Sequence, residues 1–360
     1  MEKGLSHQTL LFMRKIILFV IVPFCMACET SNKMEFKKFQ SEFKLIGQVV
    51  ESEQFFKMGM VDVYDSLLII TNPPENPRII HIFNKNSHKF IGSAGKIGKG
   101  PSEINVPGLS CIDKVNGIIW IRDMGLQKMF KFPIAEILSN PNFMPTESVA
   151  IPDGKFFISF RTTPQGNFSF SNPDQNIFIS FFNTNGKWLK DKDIPDKLQE
   201  NGKVDEKNRM YSANYLYTEH PDGDKWIIAY RFKDILAVID SMGELKWKIQ
   251  GPDRINQVPN IDNKSIRSTY EQIVCNGKFI FGLYSGLKKI ESKNGEILYN
   301  YPRKIHVFDL NGNPFALIIL THSVVWFDYD YEFNHIVTFC PETGGIVYYA
   351  LPETFKIINK

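Results

Sequence analysis

One short sequence pattern recurs along the chain and constrains the fold more than any other feature. In each copy, apolar residues alternate with other residues and are followed by Asn or Asp at a turn. The four copies are IIHIFNKNS from Ile79, IFISFFNTNG from Ile177, ILAVIDSMG from Ile235 and KIHVFDLNG from Lys304. Alternation with a period of two is typical of a β-strand, and Asn or Asp shortly before Gly is typical of a tight turn. A strand and turn repeated in this way favour a ring of similar β-sheets, the blades of a β-propeller.

The segment from Gly92 to Phe132 shows what one such sheet contains. A Gly-rich loop and Pro107 precede a strand, and Asn116–Gly117 then gives a strong hairpin signal before a second and a third strand. A Gly-rich loop can also hold a phosphate, but that function needs a helix after the loop, and a strand follows here. We therefore interpret the loop as the connection between two blades of a propeller.

Six groups of about four short strands follow one another along the chain. We predict an all-β, six-bladed β-propeller of four-stranded antiparallel blades over residues 41–360. We place the third blade from Glu147 to Lys190 with a loop at Thr162–Gln175, and the last strand at Phe355–Ile358. We expect the strand Ser41–Val50 to join the last blade and close the ring, because an open ring leaves unpaired strand edges. The alternative, a pair of β-sandwiches, does not explain the repeated turn.

The composition fits this architecture and argues against some functions. Aromatic residues make up 13% of the chain and include 30 Phe, which suits the pleated surfaces of an all-β protein. The net charge is +3 with acids and bases interspersed, so we expect no nucleic-acid partner. The seven His show no HExxH or HxH spacing, and we predict no metal and no cofactor.

The N-terminus has the organisation of a secretory signal. A basic stretch beginning at Met13 precedes an apolar run from Ile16 to Met26, which is about half the ~20 residues that a membrane span needs. We interpret residues 1–27 as a signal peptide, with 1–12 as an extension before the true start. Residues 28–40 then form a polar tether, and the propeller follows as a single domain.

The end of this signal, Cys25-Met26-Ala27-Cys28, resembles the lipobox of bacterial lipoproteins. Ala27 stands at the small position and Cys28 at the lipidated position, whereas Cys25 replaces the commoner Leu. The resemblance implies that a lipid on Cys28 anchors the protein to a membrane. Cleavage without a lipid is the alternative.

The loop and first strands of the second blade resemble an NHL-type repeat. The matching residues are Gly95, Gly98, Gly100, Pro107, Asp113, Gly117, Trp120 and Asp123. Together with the lipobox, the tether and the six weak blades, they resemble TolB-like or NHL-like six-bladed propeller lipoproteins of gut Gram-negative bacteria. Most of these families have no assigned biochemical function. The resemblance therefore implies a fold and a compartment, an outer-membrane lipoprotein facing the periplasm or the outside, and it implies no reaction.

Three arginines are the candidate ligand-binding residues. Arg122, Arg161 and Arg231 each end what we take as the second strand of a blade, in IIWIR, FFISFR and WIIAYR. If those strand ends surround one mouth of the central channel, three guanidinium groups there can bind an anionic ligand through bidentate hydrogen bonds. The alternative is that each arginine pairs with a local acid, such as Asp123 or Asp234.

Two further patterns have structural interpretations. Cys111, Cys275 and Cys340 fall in predicted inner strands, and as an odd set we interpret them as small buried residues rather than a disulfide framework. The acidic run Asp328–Glu332 can be a Ca²⁺ site or a solvated strand face. It has no Gly for the sharp turn of a calcium loop, so we favour the solvated face.

These observations leave two classes of function. We favour a lipid-anchored, monomeric binding or scaffold propeller that recognises an envelope protein, peptide or glycan, through an anionic group at one mouth of the channel. The alternative is a metal-dependent hydrolase or lactonase-like enzyme with its site in the channel. That activity needs Asp, Glu, Asn or His side chains that converge on the axis, and the sequence shows no signature of them and assigns no catalytic residue.

Overall fold

The structure is a computed structural model. It describes residues 33–50, 59–71, 76–151, 157, 159–163, 165–171, 177–193, 195, 198, 214–256, 266–288, 290–293 and 296–357. The proposed signal peptide and Cys28 lie outside these residues. The chain divides into two units, Met1–Lys33 and Met34–Lys360, and the propeller lies in the second.

Six antiparallel sheets account for nearly all of the described strands, and each sheet is one blade. The first blade contains β4 (Met60–Tyr64), β5 (Leu67–Thr71), β6 (Ile80–Asn84) and β7 (Phe90–Ala94); the second β8 (Pro107–Asp113), β9 (Ile118–Asp123), β10 (Lys128–Pro133) and β11 (Ser148–Ala150); the third β12 (Phe160–Thr162), β13 (Phe168–Ser171), β14 (Ile177–Phe182) and β15 (Trp188–Asp193). The fourth contains β16 (Tyr215–Glu219), β17 (Lys225–Tyr230), β18 (Ile235–Asp240) and β19 (Leu245–Gln250); the fifth β20 (Tyr270–Cys275), β21 (Phe279–Tyr284), β24 (Lys304–Asp309) and β25 (Pro314–Leu320); the sixth β26 (Trp326–Asp330), β27 (His335–Cys340) and β28 (Gly345–Ala350). The prediction of an all-β, six-bladed propeller with four-stranded antiparallel blades is confirmed.

The remaining described elements are short. They are β1 (Lys33–Met34), β2 (Ser41–Leu45), β3 (Gln48–Val49), a hairpin of β22 (Ile290–Lys293) and β23 (Glu296–Tyr299), α1 (Ile134–Ser139) and a 3₁₀ turn (Glu353–Phe355). The hairpin interrupts the fifth blade between its second and third strands.

The recurring turn has one physical cause in all four copies. The side-chain oxygen of Asp240 accepts hydrogen bonds from the backbone N–H groups of Met242 and Glu244, both at 2.9 Å. Asp309 caps Asn311 and Asn313 in the same way. The equivalent Asn84 and Asn183 also cap the N–H groups that follow them. An Asn or Asp at this point therefore ends the third strand and turns the chain back into the fourth.

The core consists of six apolar clusters, each lying between two neighbouring blades. Each blade is therefore buried on both faces, and strands such as Leu67–Thr71 are buried at every position. This explains why the alternation in the sequence is weak, since a strand covered on both faces reads as a continuous apolar run.

The N-terminal strands close the ring, with one change from the predicted pairing. Gln48–Val49 supplies the fourth strand of the sixth blade and lies antiparallel to β28. Ser41–Leu45 instead lies parallel to the outer strand of the fifth blade, with Ser41 opposite Ala316. The strand predicted at Phe355–Ile358 is wrong: Phe355 belongs to the 3₁₀ turn and its side chain is fully buried.

The third blade also begins later than predicted. Ser148–Ala150 pairs with β10 and completes the second blade. The strand that carries Arg161 is the innermost of the third blade, and Phe168–Ser171, predicted as part of a loop, is its second strand. The loop prediction is wrong because Phe168 and Phe170 are fully buried core residues, although the sequence around them is polar.

The end of the predicted tether belongs to the folded body. Met34, Phe36 and Phe39 pack against the apolar cluster between the fourth and fifth blades. The ring of Phe39 lies 4.9 Å from that of His306. Apolar residues spaced through this charged segment explain the packing, because burying their side chains against the apolar surface of the blades is favourable.

The Gly-rich loop connects the first and second blades, as predicted. Two of its N–H groups are used within the loop: Gly98 donates to the Ile104 carbonyl at 3.0 Å, and Gly100 to Glu103 Oε2 at 2.9 Å. Lys96 pairs with the other oxygen of Glu103 at 2.7 Å. The carboxylate of Glu103 therefore binds two donors of its own loop.

Candidate functional site

The innermost strands of all six blades surround a central cavity of about 300 Å³. Because side chains alternate along a strand, each inner strand directs part of its residues to the axis and the rest into the blade interfaces. The polar and reactive side chains that line the cavity include Asp62, Cys111, Lys114, Arg161, Glu219, Gln272, Cys275, Asp328 and Tyr331.

The first and sixth blades form an acidic side of this cavity. Asp328 accepts hydrogen bonds from the Val63 N–H at 2.9 Å and from Lys114 Nζ at 3.3 Å, so its charge is paired. Asp62 lines the same space, and no described residue donates a hydrogen bond to its carboxyl group. Burial raises the pKa of Asp62 well above its usual range, and the Asp328 carboxylate adds to the rise.

Lys114 lies at the mouth of the cavity, with about half of its side chain accessible to water. Burial lowers the pKa of its amine, but the Asp328 and Asp62 carboxylates outweigh burial and leave the pKa raised. The amine therefore stays charged and neutralises this side of the cavity.

Arg161 projects from the inner strand of the third blade and is half-buried. Its Nη1 donates to the carbonyl of the preceding Phe160 at 3.0 Å. Among the described residues no carboxylate lies within 4.0 Å of its guanidinium group. Burial raises the pKa of the Cys111 thiol, and Arg161 is close enough to oppose that rise. The cavity thus contains a guanidinium group with most of its donors not used by the described residues.

Glu219 projects from the inner strand of the fourth blade, next to the third in the ring. It is half-buried, and burial raises the pKa of its carboxyl group to about 7. No charged residue contributes to that shift, and none of the described cations forms an ion pair with it. Glu219 is therefore an acid without an ion-pair partner among the described residues of the cavity.

The cysteines are free and buried, as expected from the sequence. Cys111 and Cys275 line the cavity, whereas Cys340 lies on the second strand of its blade and not on an inner one. Burial raises the pKa of Cys275 to about 11. A thiol with so high a pKa stays protonated at neutral pH, which favours a structural role over a nucleophilic one.

The structure does not bring the three predicted arginines together. Arg122 is buried between the second and third blades, where its Nη1 donates to the Phe157 carbonyl at 2.8 Å. Arg231 faces Glu271 at 3.6 Å, away from the residues that line the cavity. Of the three, Arg161 alone lines the cavity. The physical reason is that inner strands line the channel of a propeller, whereas Arg122 lies in a second strand and Arg231 directly follows one.

The acidic run is also not a solvated strand face. Asp328 and Asp330 are buried, with relative exposures of 8% and 1%. Asp330 pairs with Lys85 of the first blade at 3.1 Å, and Asp328 with Lys114 of the second. No described group of three or more His, Cys, Asp or Glu side chains is placed to hold a metal ion.

Sequence reasoning missed Asp62, Lys114 and Glu219. The signal that identifies them is their position: each lies in the first strand of its blade, or in the turn just after it. An acid or a base within an otherwise apolar first strand is unusual, because the remaining inner residues pack into the blades.

Comparisons with known proteins agree with this architecture. A family model described as TolB-like 6-blade propeller-like matches residues 36–332. A solved structure from Bacteroides fragilis, of a protein whose name describes it as exported, superposes with a TM-score of 0.54 at 13% identity, over 88% of this chain and 98% of that one. A DUF4221 family member from Bacteroides vulgatus superposes with a TM-score of 0.56 at 10% identity, over 85% and 95%. No curated protein matches the chain significantly. At these identities the solved structures show a shared fold.

Proposed function

Because the chain belongs to the TolB-like six-bladed propeller family, we propose that it is an exported binding protein that holds an anionic group of its ligand in the central cavity. The ligand is a small molecule, or the end of an envelope peptide or glycan, that carries a carboxylate. A six-bladed ring has its inner strands directed to one axis, so a cavity of about 300 Å³ is lined by all six blades and is of the size of a small ligand pocket.

Arg161 carries this proposal. It is half-buried and lines the cavity, and its guanidinium group has no carboxylate partner within the described residues. A guanidinium group presents its donors in a planar fork that matches a carboxylate, so the unused donors favour an anion as the missing partner. The predicted arginine site is thus reduced from three residues to one.

Export and anchoring rest on separate observations. The Bacteroides fragilis protein carries the name of an exported protein, and the first residues of this chain have a basic stretch, an apolar run and a lipobox-like end. We place the protein at the outer membrane, on its periplasmic or outer side, with a lipid on Cys28. Among the described residues no helix is long and apolar enough to cross a membrane. Cys28→Ser should abolish palmitate labelling and release the protein from the membrane fraction; labelling that survives the change contradicts the anchor.

The ligand proposal is tested with acetate, butyrate and benzoate as probes on the full chain in detergent, by isothermal titration. Arg161→Gln should weaken binding of these monocarboxylates by about tenfold or more, since a hydrogen bond to a charged group is worth about 1.5–3 kcal/mol. Arg303→Gln is the matched control, because Arg303 pairs with Glu342 on the surface, away from the cavity lining. Equal affinities in all three proteins, or no binding of any probe to the wild type, would refute the anion site.

A further inference from the structure

Two opposite charges line the cavity from neighbouring blades. Arg161 belongs to the inner strand of the third blade and Glu219 to the inner strand of the fourth. Both line the same space, and no salt bridge joins them or connects either one to another described residue. The cavity therefore offers a base and an acid that form no ion pair with any described residue, although the charge of Arg161 acts on the nearby Asp62 carboxyl group.

This arrangement differs from that of the other charged residues of the cavity. Asp328 is paired with Lys114, and Asp62 lies where Lys114 and Arg161 both act on it. No described cation pairs with Glu219 or shifts its pKa, since burial alone accounts for the raised pKa of its carboxyl group. An ionised carboxylate that is partly removed from water and unpaired is costly, and a cation placed beside it removes that cost.

We propose that the ligand is a small zwitterion, an amino acid or short peptide, whose carboxylate binds Arg161 while its ammonium group faces Glu219. The inference rests on the proposed function, because it uses the same anion site at Arg161. It narrows the ligand class, since a simple carboxylate or a sugar acid leaves Glu219 without a partner.

The size of the cavity agrees with this class. About 300 Å³ is at the lower end of the range of ligand pockets, so the cavity accommodates a molecule of amino-acid or dipeptide size. The ammonium group donates three hydrogen bonds, and Glu219 accepts on either oxygen.

The test uses pairs of probes that differ by one charge. The full chain in detergent is titrated at pH 8 with the L-amino acids and Ala-Ala, and then with their N-acetyl and C-terminal amide derivatives. In the wild type we expect at least one zwitterion to bind, and both N-acetylation and amidation of that ligand to weaken binding by about tenfold to a hundredfold. Glu219→Gln should abolish the penalty for N-acetylation and retain the penalty for amidation. Arg161→Gln should do the reverse.

Each outcome decides the inference. N-acetyl derivatives that bind as tightly as the free amino acids refute it, and so does a penalty for N-acetylation that persists in Glu219→Gln. Binding of the monocarboxylates without binding of any zwitterion refutes the inference and leaves the proposed function standing. Failure of both probe sets refutes both. Thermal unfolding of the two variants in the absence of ligand confirms that each remains folded.

Discussion

Charged residues at the seam between the sixth and first blades differ from those in the central cavity. At the seam, Lys85 reaches from the first blade to Asp330 at 3.1 Å and to Glu332 at 2.9 Å. Lys85 and Asp330 are almost completely buried, at 3% and 1% exposure. In the cavity, Arg161 and Glu219 are half-buried, and neither forms an ion pair with a residue that the structure describes.

This difference distinguishes charged residues that connect blades of the propeller from charged residues that can bind a ligand. A buried charge that already has its partner is costly to separate from that partner, and a ligand gains nothing by approaching it. A partly buried charge without a partner makes the empty protein less stable and becomes favourable when a ligand supplies the opposite charge. Mutations at the seam should therefore change stability, and mutations in the cavity should change binding.

The largest effect should follow from removing the N-terminal strands that close the ring. Deletion of Ser41–Val50 removes the fourth strand of the sixth blade and the apolar contacts of Phe43, Leu45 and Val50. We expect a loss on the order of 5 kcal/mol in the free energy of unfolding, together with aggregation, because an unpaired strand edge pairs with other chains. Urea denaturation and size-exclusion chromatography measure the two effects.

The control deletes residues 29–32, which precede β1 and the packed part of the N-terminal segment. This shorter deletion should leave the unfolding transition unchanged, whereas a deletion through Lys38 should lower stability, since it also removes Met34 and Phe36 from the core. Equal stability of the 41–50 deletion and the 29–32 deletion would contradict closure by these strands.

Lys85→Ala should have the next largest effect. It leaves the Asp330 carboxylate buried without its cation, which costs about 3–5 kcal/mol in comparable cases. Lys131→Ala is the control, because Lys131 pairs with the exposed Glu147, and a pair on the surface is worth at most about 1 kcal/mol. Chemical denaturation of both variants makes the comparison. Similar losses in the two would mean that the seam pair behaves like a surface pair.

Arg122 and Arg161 allow the comparison to be made with one residue type, since Arg122 is buried between two blades and Arg161 lines the cavity. Arg122→Ala should lower stability by about 1–3 kcal/mol, because it removes a buried hydrogen bond to the Phe157 carbonyl and the packing against that ring. Arg161→Ala should change stability in the absence of ligand by less than about 1 kcal/mol. Thermal unfolding with and without ligand separates the two, and a larger loss in Arg161→Ala would assign Arg161 a structural role.

The fold could be predicted from the sequence because the turns repeat. Asn84, Asp240 and Asp309 cap the chain through local hydrogen bonds, and local signals of this kind are readable in a single sequence. The blade boundary near Arg161 was misplaced because buried Phe168 lies in a polar stretch.

The site was only partly predictable for a different reason. Arg122 and Arg161 both follow a run of apolar residues, and nothing in those runs shows which strand faces the axis. That distinction depends on the order of strands in the sheet, which is set by long-range pairing. Glu219 was missed because its isolation from other charges is a property of the assembled ring.

The smallest expected effect is the pH dependence of the unpaired cavity acid. Burial raises the pKa of Glu219 to about 7 in the folded protein, whereas a Glu in the unfolded chain has a pKa of about 4.3. Between these values the folded state binds more protons than the unfolded state, so the Glu219 contribution to stability falls as pH rises from about 4 to 7.

Glu219→Gln removes this loss. Without ligand we expect the variant to match the wild type at pH 4 and to be more stable at pH 8, on the order of 1 kcal/mol, because water in the cavity reduces the full effect. Glu136→Gln, on the exposed face of α1, should show no such trend. Thermal unfolding across this pH range decides the matter, and a Glu219→Gln variant that is less stable than the wild type at pH 8 would show that the carboxylate already has a partner in the empty protein.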